Sequence, residues 1–501
     1  MSSRVNLIAS LLLVAFAAQA ADLRLPDAAE KRDRDTVRSL LQQRADVNAR
    51  QGDGATALHW AAHWNDPETA DLLIRAGSDV NAANDYGVTP LSLASTNGSA
   101  AMVEKLLRAG ADPNAALPTG ETPLMTASRT GSLETVKLLL AGGADGNGKE
   151  ARQGQTALMW AVAQKHPEVA RALVERGADV RARSNGGFTA LLFAARVGDL
   201  DSIRVLLAAG ADVNEAASDD GDSGVTTRYQ NIGAIDRAKS KASGMTPLLV
   251  ASANGHEAVS LFLLENGADS KAANPDGFTA LHYAIQKGAS HIAAVQLDSL
   301  DAMAYMFRPN MVELVKALLA RGADPNARIA KAVRLPRSNT PRFGMLGATP
   351  FLLAAGSYDA GLMRLLASRG ANPQLGTKDE ITPLMAAAGL GRYQDFGPGE
   401  EKKALEAVRL AVELGADINA VGENDYTALH GAAYVGAESI IQFLVEKGAR
   451  MDVKDKFEQT PLSIAQGIIG AKVVDFTKKP FGPHPSAANL LLKLGASAIE
   501  R

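Results

Sequence analysis

The sequence contains no cysteine among its 501 residues. Disulfide bonds, thiol catalysis and thiolate metal ligands are therefore excluded, and packing and hydrogen bonds must stabilise the fold. Aromatic residues make up only 5% of the chain, and 52 basic and 55 acidic residues nearly cancel to a net charge of −3. Because nucleic-acid binding depends on neutralising phosphates, this balance argues against a nucleic-acid partner.

Apolar runs long enough to cross a membrane are also missing. The run "NLIASLLLVAFAA" near the N-terminus is shorter than the ~20 residues that a membrane-spanning helix needs. It follows the basic Arg4 and precedes "AQA", the small-residue pattern of a signal-peptidase site. We therefore predict a signal peptide over residues 1–20, cleaved after Ala20, and a bacterial protein exported to the periplasm or secreted.

A seven-residue motif recurs along the rest of the chain, as in "TALHWAA" at Thr56 and "TPLSLAS" at Thr89, with an undisturbed spacing of 33 residues. Each copy precedes a second apolar-periodic segment and then "GADVN" or a variant. Threonine caps a helix, proline fits its first turn, and a glycine such as Gly77 ends the second helix. Each unit is therefore two short helices that must stack on their neighbours. The copies begin at Thr56, Thr89, Thr122, Thr156, Thr189, Thr246, Thr279, Thr349, Thr382, Thr427 and Thr460.

This motif and its spacing resemble the ankyrin repeat. The resemblance implies an all-α repeat solenoid of about twelve ankyrin repeats: a degenerate first repeat, in which Arg44 replaces the glycine, and eleven recognisable ones. The expected organisation is the signal peptide 1–20, a degenerate capping repeat over 21–55, regular repeats over 56–214, repeats with long insertions over 215–348, and C-terminal repeats with a cap over 349–501.

Insertions interrupt the regular spacing. The segment from His291 to Phe307 has apolar residues near helical spacing, which indicates either an extra helix packed on its own repeats or a methionine-rich partner site. The basic loop from Lys331 to Arg342 lacks the aromatic residues typical of a single-stranded nucleic-acid site. The insertions, whose roles the sequence leaves open, span 215–243, 289–308, 328–346, 389–402 and 467–485.

Several partial ligand-binding patterns do not complete a site. Residues 143–150, "GADGNGKE", have the glycine and lysine spacing of a phosphate-binding loop but end in Glu150 where serine or threonine should bind magnesium. Residues 218–224, "SDDGDSG", lack the alternation and the closing glutamate of a calcium loop. His59 and His63 are four residues apart, but Trp60 replaces the glutamate of zinc peptidases and no third ligand is evident. We assign no catalytic residue, no metal and no cofactor.

The resemblance also assigns roles to single residues. His59, His282 and His430 occupy the fourth place of the motif, where the family's histidine forms hydrogen bonds between repeats. The two residues after the alanine pair, such as Tyr434 and Val435, and the projecting turns form the surface that grips other proteins. The candidate contacts are His63, Trp64, Asp85, Tyr86, Arg129, Gln164, Arg196, Asn254 and Tyr434. Four bulky residues one place earlier are expected to be partly buried: Trp60, Trp160, Phe193 and Tyr283.

We therefore expect an exported, non-enzymatic scaffold that binds one or more proteins through its concave face and projecting turns. Fold analogy alone is a weak argument for function, because this scaffold only presents surfaces. Two alternatives stay open at this point. One is a metal-dependent or cofactor-dependent enzyme whose site is formed by the inserted loops. The other is a secreted effector that acts on host proteins.

Overall fold

The computed structural model describes residues 22–218, 244–285, 309–331, 345–392, 395–468 and 483–497. Several sequence predictions lie outside these residues: the signal peptide 1–20, the segment from His291 to Phe307, and nearly all of the acidic 218–224 and basic 331–342 loops. The insertion 289–308 lies outside them as well, and so do large parts of the insertions 215–243, 328–346 and 467–485.

The described residues form twelve consecutive helix pairs, which confirms the predicted all-α repeat architecture. An isolated bridge between Ala273 and Thr279 is the β-type pairing found in this part of the chain. The helices are α1 Arg24–Glu30, α2 Arg34–Gln42, α3 Ala57–His63, α4 Pro67–Arg75, α5 Pro90–Thr96, α6 Ala100–Arg108, α7 Pro123–Thr130, α8 Leu133–Ala141, α9 Ala157–Ala163, α10 Pro167–Glu175, α11 Ala190–Val197, α12 Leu200–Ala208, α13 Pro247–Ala253, α14 Glu257–Glu265, α15 Ala280–Ala284, α16 Val312–Ala320, α17 Pro350–Gly356, α18 Ala360–Ser368, α19 Pro383–Ala387, α20 Glu400–Glu413, α21 Ala428–Tyr434, α22 Glu438–Glu446, α23 Pro461–Ala465 and α24 Pro485–Lys493.

The chain divides into two compact units. The first unit is Met1–Ser184 with Arg204–Ala209, and the second unit is Asn185–Ile203 with Gly210–Arg501. Inside each unit, first helices pack on the first helices of neighbouring repeats and second helices on second helices. No helix within the described ranges is both long and apolar enough to span a membrane.

The motif threonines begin the first helices as the sequence predicts. In α5 the Thr89 side chain accepts a hydrogen bond from the Ser92 N–H, and Pro90 follows at the first helical position. In α3 the cap is reciprocal, because the ring of His59 accepts a hydrogen bond from the backbone N–H of Thr56. These contacts satisfy backbone groups that a helix end leaves without an intrahelical partner.

Asparagine side chains connect the turns between repeats. The Asn81 side chain donates to the carbonyl of Gly110 at 3.1 Å and accepts from the backbone N–H of Asp112 at 2.8 Å. The same two bonds recur one repeat later, from Asn114 to Gly143 and Asp145. The asparagine of "GADVN" is therefore a structural link between consecutive repeats.

The second helix of the capping repeat is followed by Arg44, at the place where other repeats have glycine. Arg44 adopts the left-handed conformation, φ 57°, that glycine adopts at this place in other repeats. The repeat is fastened to the next one by Arg34, whose guanidinium donates two hydrogen bonds of 2.8 Å to the Asp66 carboxylate. Asp66 is 5% exposed, and despite its desolvation the bonds from Arg34 and Thr69 keep the pKa of this carboxyl below its usual value.

The described residues of the insertion 389–402 fold back onto the first helices of the second unit. A Cβ atom built on Gly431 would lie only 2.8 Å from the backbone nitrogen of Leu390. Six of the other ten motif copies have leucine or an aromatic residue at this position of the first helix, such as Leu93 and Trp60. Glycine is therefore required wherever the inserted backbone approaches this closely.

Candidate functional site

Four predicted contact residues of the first unit lie at the C-terminal ends of first helices, and their side chains face solvent: His63, Trp64, Arg129 and Gln164. Trp64, which follows α3, is 41% exposed, and the guanidinium-bearing side chain of Arg129 in α7 is 47% exposed. His63 and Gln164 are exposed as well. Large exposed aromatic residues and arginine are the residue types enriched in binding hot spots.

Trp60, His63 and Trp64 form one aromatic cluster. The His63 ring meets Trp60 edge-on at 5.7 Å between centroids and Trp64 at 4.7 Å. The Trp64 indole N–H donates to the carbonyl of Glu30 at 3.0 Å, and the Arg32 guanidinium lies 5.8 Å from the Trp64 ring. These contacts hold the exposed rings in a defined orientation.

A hydrogen-bond chain connects this cluster to two carboxylates. The Trp60 indole N–H donates to the side-chain oxygen of Gln51 at 2.6 Å. The Gln51 amide nitrogen then donates to Asp27 and to Glu30, both at 2.9 Å. Trp60 is half-buried, as the sequence predicts. Gln51 is thus the residue that joins the indole to the acidic side chains, and the motif did not indicate it.

Arg129 is also held in place by neighbours within the first unit. Its guanidinium lies 5.0 Å from the centroid of the Trp160 ring and forms an ion pair with Glu121 at 3.3 Å. Glu121 additionally accepts a hydrogen bond from the Thr126 hydroxyl. Trp160 is half-buried, so its ring is covered by the guanidinium rather than left to solvent.

Asp85 and Tyr86 lie at the tip of a projecting turn. The Asp85 backbone N–H donates to the carbonyl of Asp53 in the preceding turn at 2.9 Å. The backbone N–H of Tyr86 donates to the Asn84 side chain at 3.0 Å, and the Tyr86 ring is 69% exposed. The turn is fixed through its backbone while the phenol ring projects into solvent.

The candidates of the second unit are less exposed. Arg196 is half-buried and lies 4.7 Å from the Phe193 ring, and the Asn254 side chain donates to the carbonyl of Val250 at 2.8 Å. Tyr434 is half-buried. The expectation that Val435 projects beside it is wrong, because Val435 is 3% exposed. A Cβ atom at Gly389 would lie 2.8 Å from a Val435 methyl group, so the insertion covers this side chain.

The aromatic residues one place earlier also differ between the units. Trp60 and Trp160 are half-buried as expected, whereas Phe193 and Tyr283 are 5% and 6% exposed. Phe193 packs beside Phe188, and Tyr283 stacks on Phe278, at 5.6 and 5.5 Å between centroids. Each ring of these pairs covers the other from solvent, so Phe193 and Tyr283 are less exposed than Trp60 and Trp160.

Three histidines that were not predicted from the sequence form hydrogen bonds to the backbone of candidate residues. His166 donates to the carbonyl of Arg129 at 3.1 Å, and His256 donates to that of Arg196 at 3.0 Å. His484 donates to the carbonyl of Tyr434 at 3.2 Å. Each histidine immediately precedes a second helix, and this shared position is the signal that could have identified them.

Each of these histidines lies against a left-handed glycine of the preceding repeat. A Cβ atom at Gly131 would lie 2.6 Å from the His166 ring, and one at Gly198 would lie 2.5 Å from His256. Gly436 and His484 show the same approach at 2.5 Å. The histidine ring therefore occupies the space that a side chain at the glycine would need.

The motif histidines have structural partners at both ring nitrogens, as the resemblance implies. Nδ1 of His59 accepts from the Thr56 N–H at 3.1 Å, and Nε2 donates to the carbonyl of Val88 in the next repeat at 2.9 Å. Burial lowers the pKa of His59, and burial lowers the pKa of both His282 and His430 to about 4. With both nitrogens engaged, His59 is not available as a metal ligand beside His63.

The loop that resembles a phosphate site is an ordinary inter-repeat turn. The Lys149 ammonium donates to the carbonyl of Arg183 at 2.7 Å. The Glu150 carboxylate is buried and accepts from the backbone N–H groups of Arg152, Gln153 and Gln155. Within the described residues there is no group of three or more histidine, aspartate or glutamate side chains placed to bind a metal ion.

Comparisons with known proteins match this architecture. The family "Ankyrin repeats (3 copies)" matches over residues 25–116, 102–184, 124–217 and 215–300. "Ankyrin repeat" matches residues 276–329 and "Ankyrin repeats (many copies)" residues 400–445. These matches together cover more than half of the chain.

Proteins similar to this chain include ankyrin repeat and SOCS box protein 16 of Homo sapiens, 37% identical over 285 residues, which are 49% of this chain and 54% of that protein. E3 ubiquitin-protein ligase KEG of Arabidopsis thaliana is 28% identical over 302 residues, 56% of this chain and 16% of the ligase. Human neurogenic locus notch homolog protein 2 is 31% identical over 232 residues, 46% of this chain and 8% of that protein. The chain therefore spans about half of the first of these relatives and much less of the others. By its repeated motif, its helix pairs and these matches, the chain belongs to the ankyrin repeat family.

Proposed function

We propose that this protein is an exported, non-enzymatic bacterial scaffold that binds one or more proteins through its first-helix ends and projecting turns. The observation that supports this proposal is the exposure of Trp64, Tyr86 and Arg129 in the first unit. Contacts between repeats hold the Trp64 indole, the turn beside Tyr86 and the Arg129 carbonyl, so less conformational entropy is lost when a partner binds. Membership of a family whose repeats act as protein-interaction modules supports the same assignment.

The binding surface is tested by replacing Trp64, Tyr86 and Arg129 together with alanine. Cross-linking in the native host followed by mass spectrometry identifies the partner, and titration of that purified partner then measures affinity. We expect the triple variant to bind the partner at least about tenfold more weakly, because each residue type commonly contributes 1 kcal/mol or more at an interface.

The matched control replaces three exposed basic residues on second helices of the same unit, Arg38, Arg75 and Lys137. This variant should keep the wild-type affinity. Equal affinity of the site variant and the wild type would contradict the assigned surface.

Export and the absence of catalysis have separate tests. Cell fractionation with N-terminal sequencing should find mature protein that begins at Ala21 in the periplasm or the medium. Recovery of the protein inside a host cell would favour a secreted effector instead. Elemental analysis that finds a stoichiometric metal in the purified mature protein would contradict the non-enzymatic proposal and favour an enzyme with its site in the inserted loops.

A further inference from the structure

The first two repeats carry an aromatic surface with two carboxylates beside it. We call this the N-terminal patch, and it consists of the rings of Trp60, His63 and Trp64, the carboxylates of Asp27 and Glu30, and the amide of Gln51 that joins them. Neither carboxylate forms an ion pair with a basic side chain within the described residues. Each therefore keeps acceptor positions that the protein does not use.

Elsewhere in the first unit the same chemistry is complete. At Trp160 the Arg129 guanidinium lies over the indole and pairs with Glu121. A guanidinium over an aromatic face gains electrostatic attraction from the ring, and a nearby carboxylate adds charge-assisted hydrogen bonds. At this site the indole, the guanidinium and the carboxylate all belong to the protein's own repeats.

The second unit contains an independent example. The Arg392 guanidinium lies 4.9 Å from the Phe396 ring and 5.7 Å from the Tyr358 ring, and it pairs with Glu400 at 2.6 Å. Ring, guanidinium and carboxylate again occur as a set. The set is therefore a recurring solution in this molecule rather than a peculiarity of Trp160.

The N-terminal patch has the ring and the carboxylates but not the cation over Trp60. Arg129 is the seventh residue of α7, and the seventh residue of α1 is Glu30. The substitution puts a negative charge where the other repeat has its guanidinium. Within the described residues no arginine or lysine lies over the Trp60 ring, whereas Arg32 lies over the neighbouring Trp64.

We propose that the N-terminal patch binds a cationic side chain of a partner protein, an arginine before a lysine. This inference rests on the proposed function and names the chemistry of the partner at one part of its surface. The guanidinium is held over the Trp60 edge of the cluster and donates to Asp27 and Glu30. Arginine is preferred because its planar fork donates several hydrogen bonds and stacks on rings, which an ammonium group does less well.

The three tryptophans make the test direct, because the chain contains only Trp60, Trp64 and Trp160. The full chain, labelled with ¹⁵N-tryptophan, gives three indole N–H resonances, each assigned by a tryptophan-to-phenylalanine variant. The probe is N-acetyl-arginine-methylamide, and the control is the same molecule with citrulline, which keeps the shape but has no charge. We expect a saturable shift of the Trp60 resonance with arginine, at least about tenfold weaker binding of citrulline, and no shift at Trp160, whose ring is already covered.

Variants then test the carboxylates. The double variant Asp27→Asn, Glu30→Gln should weaken arginine binding by about tenfold, because two charge-assisted acceptors are lost. The matched control Glu121→Gln should leave the Trp60 titration unchanged. An unchanged far-ultraviolet circular dichroism spectrum verifies that each variant is folded, together with an unaltered indole resonance at the tryptophan remote from the substitution: Trp160 for the double variant and Trp60 for Glu121→Gln.

Equal shifts with arginine and citrulline, a Trp160 response as large as that of Trp60, or full binding by the double variant would each overturn the inference. These failures are distinguishable from failure of the proposed function. If the alanine variant of Trp64, Tyr86 and Arg129 loses its partner while the Trp60 resonance does not respond to arginine, the surface assignment stands and only the cationic partner is wrong. If the Trp60 resonance responds to arginine but the alanine variant keeps its partner, the surface assignment is wrong and the arginine site stands.

Discussion

The two units carry the same repeat motif but treat the ends of their first helices differently. In the first unit these ends are open, and Trp64 and the Arg129 side chain are 41% and 47% exposed. In the second unit the corresponding region holds Tyr358, Leu390 and Val435, which are 5%, 3% and 3% exposed. The difference comes from the insertion that follows α19. A repeat motif alone therefore does not decide which repeats present a surface to partners.

The largest expected effect on stability comes from adding a side chain at Gly431, where the insertion lies closest to α21. Gly431→Leu introduces the residue that Leu93 provides in the first unit. Because the Leu390 backbone lies where the new Cβ atom must go, we expect the unfolding free energy to fall by about 3 kcal/mol. Urea unfolding followed by far-ultraviolet circular dichroism measures the loss.

Its control is Leu93→Val in the first unit, a change of one methylene at a half-buried side chain, which should cost about 1 kcal/mol. Tryptophan fluorescence adds a second readout, since all three tryptophans belong to the first unit. A Gly431→Leu protein as stable as the wild type would show that the insertion does not pack on α21.

The second prediction compares two arginines that lie over aromatic rings. The Arg392 side chain is 12% exposed and pairs with Glu400, whereas the Arg129 side chain is 47% exposed and pairs with Glu121. We expect Arg392→Ala to lower the unfolding free energy by about 3 kcal/mol, because Glu400 is left in a partly buried site without its cation. Arg129→Ala should cost less than about 1 kcal/mol, because solvent screens the exposed pair.

Thermal and urea unfolding of the two alanine variants decide the matter. Arg392→Lys keeps the charge but loses the planar fork, and it should fall between the alanine variant and the wild type. Equal losses at both positions would mean that the insertion contributes no more to stability than an exposed ion pair.

The third prediction concerns the pH dependence of stability, which should be larger for the second unit. Burial lowers the pKa of His282 and His430 to about 4, and both lie in the second unit, whereas the first unit has His59 alone among the motif histidines. The unfolded state binds a proton below pH ~6.5 while the folded state does not, so stability is complete above that pH and falls towards pH 4. His282 and His430 should each contribute a loss of about 1 kcal/mol per pH unit in this window.

Denaturation at pH 7.5, 6 and 5 measures the slope. The variant His430→Gln should lower stability at pH 7.5, since the cap and the bond to the Gln459 carbonyl change, but it should flatten the pH dependence by one proton. An unchanged slope would mean that His430 is protonated in the folded state.

Much of this architecture could be predicted because it depends on local chemistry repeated along the chain. Threonine caps, glycine ends and the "GADVN" asparagine each act within one repeat or between adjacent ones, so the motif contains their positions. The burial of Val435 could not be predicted, since it depends on where an insertion starting some 45 residues earlier folds back. Gly431 was the available signal, because glycine stands where six of the other ten motif copies have leucine or an aromatic residue.

The candidate surface also has a part that the motif predicts and a part that it does not. The exposure of Trp64 and Tyr86 follows from their places in the motif. The acidic neighbours of Trp60 do not, because they are joined to it by the side chain of Gln51, which the repeat does not specify. A periodic motif does not predict contacts that are made through a side chain outside the motif.

The close fit of each histidine ring against the preceding left-handed glycine makes neighbouring repeats complementary partners. Gly131 suits a successor whose second helix opens with His166, while Asn65 is matched to Ser99 through a side-chain hydrogen bond. Recombination that placed the repeat containing Asn65 directly before the repeat containing His166 would set two bulky side chains against each other. Duplication, deletion or engineering in this protein should therefore move such repeats as matched pairs rather than as interchangeable modules.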